Sequence, residues 1–226
     1  MPRPDRASMS DGEAVGWVGW MSPDRKERRM PITPADWEAR YQGGDTPWDL
    51  GKPTPVFSRL LQEQRFAPGR LLIPGAGRGY DAIAFARAGF SVTSVDVSET
   101  ACAELREQAV RKGVTLEVRQ ADFFALNEAE SFDLALEYTF YCAIDPSLRT
   151  RYRDQMARLL KPGGLLFGLF FPLNKPLDAD GPPFGVKRDE VEASLRERFD
   201  LVHAEFPADS VKPRRGNEIL MIWRRR

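Results

Sequence analysis

Arg70-Leu71-Leu72-Ile73-Pro74-Gly75-Ala76-Gly77-Arg78-Gly79-Tyr80-Asp81 is an apolar run that breaks into three alternating glycines and then enters a helical pattern. Strand, glycine turn and helix in that order open the nucleotide-binding unit of parallel α/β sheets, because glycine lets a backbone turn sharply and approach a ligand. The dinucleotide fingerprint Gly-x-Gly-x-x-Gly is not met: the glycines are Gly75, Gly77 and Gly79, and Tyr80 stands where the last one belongs. No Lys-Ser or Lys-Thr follows, so the turn is not a P-loop either.

The pattern downstream extends this unit. Helix is expected over 81–88, strand over 91–95, helix over 98–112 and strand over 116–119. Then come a strand over 132–137, a helix over about 146–160, an almost wholly apolar strand over 164–171 and a helix over 190–198. Strands over 199–205 and 218–223 close the chain. Strands and helices alternating at this spacing predict a mostly parallel sheet with helices on both faces.

Upstream, Thr33 is a good N-cap, Pro34 suits the first helical position and Asp36 favours a helix N-terminus, so a short helix runs to about Tyr41 and stops at Gly43-Gly44. A second helix from about Pro55 to Gln64 carries Val56, Leu60 and Leu61. Residues 1–30 are rich in Pro, Gly, Ser and charge, with Trp17 and Trp20 the exceptions. They read as a poorly ordered tail, with Met21 and Met30 as alternative initiators, ahead of one domain over residues 31–226.

The 226 residues suit one such domain, and 33 basic against 33 acidic residues leave no net field to gather nucleic acid. The expected partner is a small molecule, the chain being a monomer or a homodimer. No run approaches the roughly 20 apolar residues of a membrane span, and no apolar segment follows the charged N-terminus as in a secretory signal, so a cytoplasmic protein is expected. Cys102 and Cys142 read as buried small hydrophobes, not as a disulfide pair. The single histidine, His203, lies in a strand far from the expected ligand edge, and no His/Cys/carboxylate cluster has metal-ligand spacing, so no metal is expected. Arg214-Arg215 and Arg224 to Arg226 read as solvated ends.

Asp96 ends the second strand, about 20 residues past the glycine turn, where an acid accepts hydrogen bonds from ribose hydroxyls. Asp122 follows the third strand, placed to take an adenine amino group, with Phe123 against the ring. Glycines and both acids fall at the C-terminal ends of successive strands, the edge where open α/β sheets bind ligands. Together they point to a nucleoside cofactor.

In this order the glycine turn, ribose acid and adenine acid resemble class I S-adenosylmethionine-dependent methyltransferases with their Rossmann-like fold. Lys161-Pro162-Gly163-Gly164 resembles the turn those enzymes carry before the fifth strand. Trp37-Glu38-Ala39-Arg40-Tyr41 with Thr46-Pro47-Trp48 resembles the N-terminal segment of the thiopurine S-methyltransferase family. Ala143-Ile144-Asp145-Pro146-Ser147-Leu148-Arg149 and Gly181-Pro182-Pro183-Phe184-Gly185-Val186 do likewise. The stretch from Asp133 to Ile144 is most similar to the thiol and halide methyltransferase branch. The resemblance spans residues 32–223 and implies a seven-stranded sheet whose last strand is antiparallel. It also implies S-adenosyl-L-methionine as cofactor, S-adenosyl-L-homocysteine as its product, and residues 31–65 as a lid. Trp37, Tyr41 and Trp48 would then line the methionine and methyl end, where aromatic faces attract a sulfonium by about 0.5–2 kcal/mol. Tyr138 stands where thiopurine enzymes carry an arginine, a departure that argues against a purine thiol.

Methyl transfer from a sulfonium is an in-line displacement, so the protein must align three atoms and exclude water. A thiolate or halide needs no strong base, which agrees with the lack of a suitably placed histidine. Tyr138 and Tyr141 are the candidates for orienting an incoming anion. Glu137 either holds the cofactor's amino group or caps the loop. Phe140, Phe171 and Phe184 would supply an apolar pocket. The readings left open are transfer to another small O or N acceptor, and a binding module without turnover.

Overall fold

The computed structural model describes residues 32–226. The tail expected over residues 1–30, with its alternative starts, lies outside the described residues.

Helix α1 (Pro34–Gln42) starts in a capping box: Asp36 N–H donates to Thr33 Oγ1, and the Asp36 carboxylate accepts from Thr33 N at 2.8 Å. Helix α2 (Pro55–Gln62) follows, with Pro55 at its first position. The alternation then runs β1 (Arg70–Pro74), α3 (Tyr80–Arg87), β2 (Ser91–Asp96), α4 (Glu99–Arg111), β3 (Glu117–Gln120) and β4 (Phe132–Tyr138). It continues through α5 (Arg149–Leu159), β5 (Leu160–Phe170), α6 (Arg188–Leu195), β6 (Phe199–Glu205) and β7 (Ile219–Arg225).

The seven strands form one sheet in the order β3-β2-β1-β4-β5-β7-β6. β1 to β5 pair in parallel, and β7 runs antiparallel to both β5 and β6. The sheet is the one expected. The chain winds outward from β1 through β2 and β3, then returns to place β4 on the other side of β1. That reversal opens a crevice at the C-terminal ends of β1 and β4.

Side chains alternate along β1 and divide the core between the faces. Leu71 and Ile73 pack with Phe57 and Leu60 of α2 and Phe85 of α3. Leu72 packs on the other face with Tyr152 and Met156 of α5 and Leu195 of α6. Phe57, Phe85 and Phe167 are essentially fully buried, each contributing about 1.5–3 kcal/mol. Their packing fixes α2 and α3 on the sheet, and so fixes the crevice between them.

One expectation needs correction. Lys161 to Gly164 is not a plain turn between helix and strand. Leu160 already pairs with Phe132, and pairing resumes at Leu165 with Leu134, so these residues form a bulge inside β5. At the chain end β7 continues to Arg225, which pairs with Glu130 at 3.1 Å, while Arg224 and Arg226 are exposed as expected, Arg226 pairing with Asp200 at 2.8 Å. Among the described residues, no helix is long and apolar enough to cross a membrane.

Gly79 caps α3 in the left-handed region at φ +73°, and a Cβ there would overlap the Leu105 side chain of α4. Gly79→Ala is expected to lose about 2–4 kcal/mol, from left-handed strain plus overpacking. Thermal or urea unfolding measures this, and an unchanged midpoint would refute the close approach.

Candidate active site

All three glycines of the β1–α3 turn are left-handed, at φ +58°, +52° and +73° for Gly75, Gly77 and Gly79. Glycines lack side chains to hold such a shape, so hydrogen bonds must do it. Ala76 N–H donates to Val95 O, Gly79 N–H to Ala76 O, and Gly77 N–H to Asp96 Oδ2 at 2.9 Å. Asp96 also accepts Ser98 N–H at 2.9 Å. Burial pushes the Asp96 carboxyl up, while these amides pull it down. The turn and Asp96 therefore form one unit.

The segment from α1 to α2 covers that unit. A Cβ on Gly77 would stand 2.7 Å from the Tyr41 hydroxyl, so the tyrosine lies directly over the turn. Trp48 packs edge-on against both Tyr41 and Trp37, at centroid distances of 5.7 and 5.5 Å. Arg78, from the turn itself, donates to Thr46 Oγ1 and Asp49 Oδ2 at 2.8 Å each and also binds Glu104 of α4. Glu38 of α1 accepts from Ser98 Oγ at 2.6 Å and Thr100 Oγ1 at 2.5 Å, docking α1 on the start of α4. Those two hydroxyls, Ser98 first, lower the Glu38 carboxyl to about 2.

Between cover and sheet lies a cleft of about 590 Å³ counting its open mouth. Its floor is the turn from Gly75 to Gly79, and its walls include Tyr41, Trp48, Thr54, Asp81 and Tyr138. Asp81, in the first turn of α3, accepts from Thr54 N at 2.7 Å and Thr54 Oγ1 at 2.8 Å. Burial nevertheless pushes its carboxyl up to about 6. Tyr138 is braced from behind by Arg214, which donates to the Tyr138 oxygen and, at 2.8 Å, to Trp48 O. The guanidinium stacks on Tyr138 and Phe171 at 5.0 Å each.

The structure thus gathers Tyr41, Trp48, Gly75, Gly77, Gly79, Asp96 and Tyr138, of which Asp96 lies behind the turn. Other expected site residues lie elsewhere. Trp37 packs on the outer side of Trp48, with the Arg40 guanidinium 5.7 Å from its ring. Asp122 is exposed and caps Phe124 N–H at 2.8 Å, and Phe123 is buried against Phe140 and Tyr152. Phe140 in turn fills the space beside Gly75, where a Cβ would meet its ring at 2.6 Å.

Glu137 is corrected to the loop-capping alternative. It faces the interior, 1% exposed, and accepts Phe140 N–H, Tyr141 N–H and the Tyr152 hydroxyl at 3.1, 2.7 and 2.9 Å. Tyr141 is 3% exposed, packed on Tyr152 and Phe170, and is not a wall of the cleft. Alternation explains Glu137: consecutive residues at a strand end point opposite ways, so Tyr138 faces the cleft and Glu137 does not, while Tyr141 lies in the turn after the strand.

Arg214 is also corrected: it is 7% exposed, not a solvated end. The sequence reading missed it, together with Arg78, Thr54 and Asp81. Asp81 carried a usable signal, an acid in the first turn of the helix after the glycines. Arg214 carried none, since its partners are as distant in sequence as Trp48. Cys102 and Cys142 are buried and free, and His203 pairs with Glu205 at 3.3 Å on the edge strand. Among the described residues, no group of three His, Cys, Asp or Glu side chains is placed to hold a metal ion.

Comparison with known proteins places these features in context. The family model for thiopurine S-methyltransferase matches residues 32–223. The chain is 39% identical over 199 residues to a probable thiol methyltransferase 2 of Arabidopsis thaliana, covering 84% of each chain. It is 33% identical to a thiocyanate methyltransferase 1 of Brassica oleracea, covering 97% of this chain and 96% of that one. In fold it is similar to the Burkholderia thailandensis 1,6-didemethyltoxoflavin-N1-methyltransferase solved with S-adenosylhomocysteine. That likeness has a TM-score of 0.68 at 24% identity, over 85% of this chain and 86% of that one.

The buried Glu137 carboxyl is pushed up to about 7 from an ordinary 4.5, burial outweighing its three hydrogen bonds. A raised folded value gives a stability contribution present below about pH 4.5 and lost as pH rises through about 7. Glu137→Gln keeps an oxygen for the two amides and removes the titration. Denaturant unfolding at about pH 5 and pH 8 is expected to show the wild type losing stability relative to Glu137→Gln as pH rises. A pH-independent difference would contradict the burial.

Proposed function

The chain belongs to the thiopurine S-methyltransferase family, and from that premise we propose that it transfers a methyl group to a small soft nucleophile: a thiol, a halide or a related chalcogen anion. It is an S-adenosyl-L-methionine-dependent methyltransferase. The observation that carries the choice of acceptor is Arg214, a buried guanidinium bonded to two walls of the cleft, Tyr138 and Trp48. A fixed positive charge beside a phenol favours an anion over a neutral alcohol or a protonated amine. Relatives named for thiol and thiocyanate methylation support the same choice.

The residues present fit the cofactor. The left-handed glycine turn leaves a floor without side chains, and a Cβ at Gly75 or Gly77 would crowd Phe140 or Tyr41. Gly75, Gly77 and Gly79 would receive the backbone of the cofactor, and Asp96 the ribose. Asp122, Phe123 and Phe140 would stand around the base. Tyr41 and Trp48 would cover the methionine end, with Trp37 supporting Trp48 from outside. When bound, the cofactor supplies an activated methyl on a sulfonium. The chain's own work is then to exclude water and to align the acceptor. Tyr41 and Trp48 form the water-excluding cover, held down by Arg78 and Glu38. Tyr138 orients the acceptor, and Arg214 offsets its charge. Tyr141, buried beside Glu137, supports the loop that carries Tyr138 and does not touch the acceptor. Balanced charge supports a small-molecule partner over a nucleic acid.

Radiolabelled methyl transfer to hydrogen sulfide, small thiols, iodide and thiocyanate tests the reading. Label on these acceptors is the expected result. Label only on hydroxyls or amines would replace the acceptor class, and cofactor binding without any transfer would leave a binding module. Asp96→Ala is expected to weaken S-adenosylhomocysteine binding by about 1–3 kcal/mol in isothermal titration, and an unchanged dissociation constant would remove Asp96 from the site.

A further inference from the structure

We propose that Glu218 is the proton acceptor for neutral thiols, reached through the Tyr138 hydroxyl, and so sets the enzyme's preference between thiols and acceptors that arrive already ionised. This rests on the soft-nucleophile reading above. Glu218 immediately precedes β7 and is 0% exposed. Its Oε2 accepts the Tyr138 hydroxyl at 3.3 Å, its Oε1 is buried, and the Ser210 hydroxyl faces the same carboxylate. A carboxylate fully buried behind a cleft residue is costly to keep, so its retention there calls for a use.

The geometry gives the proton a direction. Arg214 donates to the Tyr138 oxygen, so the tyrosine's own hydrogen is turned toward Glu218. Tyr138 is a wall of the cleft and Glu218 lies behind it. A thiol resting on Tyr138 can pass its proton to the phenol oxygen while the phenol's proton moves to Glu218. The S–H bond breaks, the electron pair stays on sulfur, and the carboxylate becomes a carboxylic acid. The thiolate then uses that pair to form the new S–CH3 bond, its charge meanwhile offset by Arg214.

The groups facing Glu218 are Tyr138, Arg214, Ser210 and Asp209, and Asp81 adds its charge at Tyr138. Burial first, with Asp209, raises the Glu218 carboxyl, while Ser210, Arg214 and Tyr138 lower it. The net rise makes it a better base than an ordinary glutamate. Thiols of ordinary acidity are mostly protonated at neutral pH and need this step, whereas iodide and thiocyanate do not.

The test measures kcat/KM for 2-mercaptoethanol and for iodide between about pH 6 and 9, in the wild type, Glu218→Gln and Tyr138→Phe. In Glu218→Gln the thiol-to-iodide ratio is expected to fall about tenfold or more at pH 7, then recover as pH rises and thiolate forms in solution. Equal losses on both acceptors at every pH, or no loss, would overturn the proposal. Tyr138→Phe removes the relay hydroxyl and, on top of a loss common to both acceptors from poorer orientation, is expected to lower the thiol-to-iodide ratio with the same recovery at high pH, so the proposal stays testable if Glu218→Gln does not fold. Wild-type protein that binds S-adenosylhomocysteine but methylates neither acceptor would instead refute the soft-nucleophile reading itself.

Discussion

The hydrogen bond from Gly77 N–H to Asp96 ties a turn with no side chains of its own to the end of β2. The three left-handed glycines at alternate positions carry no side chains that could hold the shape of the turn. The Asp96 carboxylate fixes the middle one, Ala76 O accepts the N–H of the last, and Val95 O accepts the N–H of Ala76 between the first two. With the turn set, Tyr41 can lie over Gly77 and Arg78 can reach Thr46 and Asp49. The cover over the cleft is thus held by the element that forms its floor, and binding and water exclusion share one support.

Charge is sorted around the cleft. Asp49 and Asp81 line it, Asp96 lies just behind the turn, and Arg214 braces Tyr138 and Trp48 from behind. Carboxylates near the turn suit a cationic group, and behind Tyr138 the Arg214 cation suits an anionic one once Glu218 has taken up a proton. An enzyme joining a sulfonium donor to a soft anion needs that separation, since each charge then meets its complement on the way in.

Most of the fold was legible from local pattern. The helix and strand boundaries follow from apolar spacing and from caps such as Thr33, which act within a few residues. The glycine turn and Asp96 were legible for the same reason, since a strand end and a turn have few uses for left-handed glycines and a terminal acid. What failed was everything set by distant partners or by side-chain direction. Glu137 and Tyr138 are neighbours in sequence, and only the pleat of β4 decides which one meets the cleft. Arg214 sits in a basic pair that reads as surface, and its burial depends on Tyr138, Phe171 and Trp48 arriving from three other segments. The Lys161 to Gly164 turn became a bulge because the pairing of Leu160 with Phe132 had already begun the strand.

A crystal structure of the protein with S-adenosylhomocysteine tests the central claim most directly. The account predicts the cofactor's sulfur in the cleft between Trp48 and Tyr138, with the Gly75 to Gly79 backbone against the methionine portion and Asp96 at the ribose. Cofactor seated outside that cleft, or with its sulfur remote from Tyr138, would contradict it.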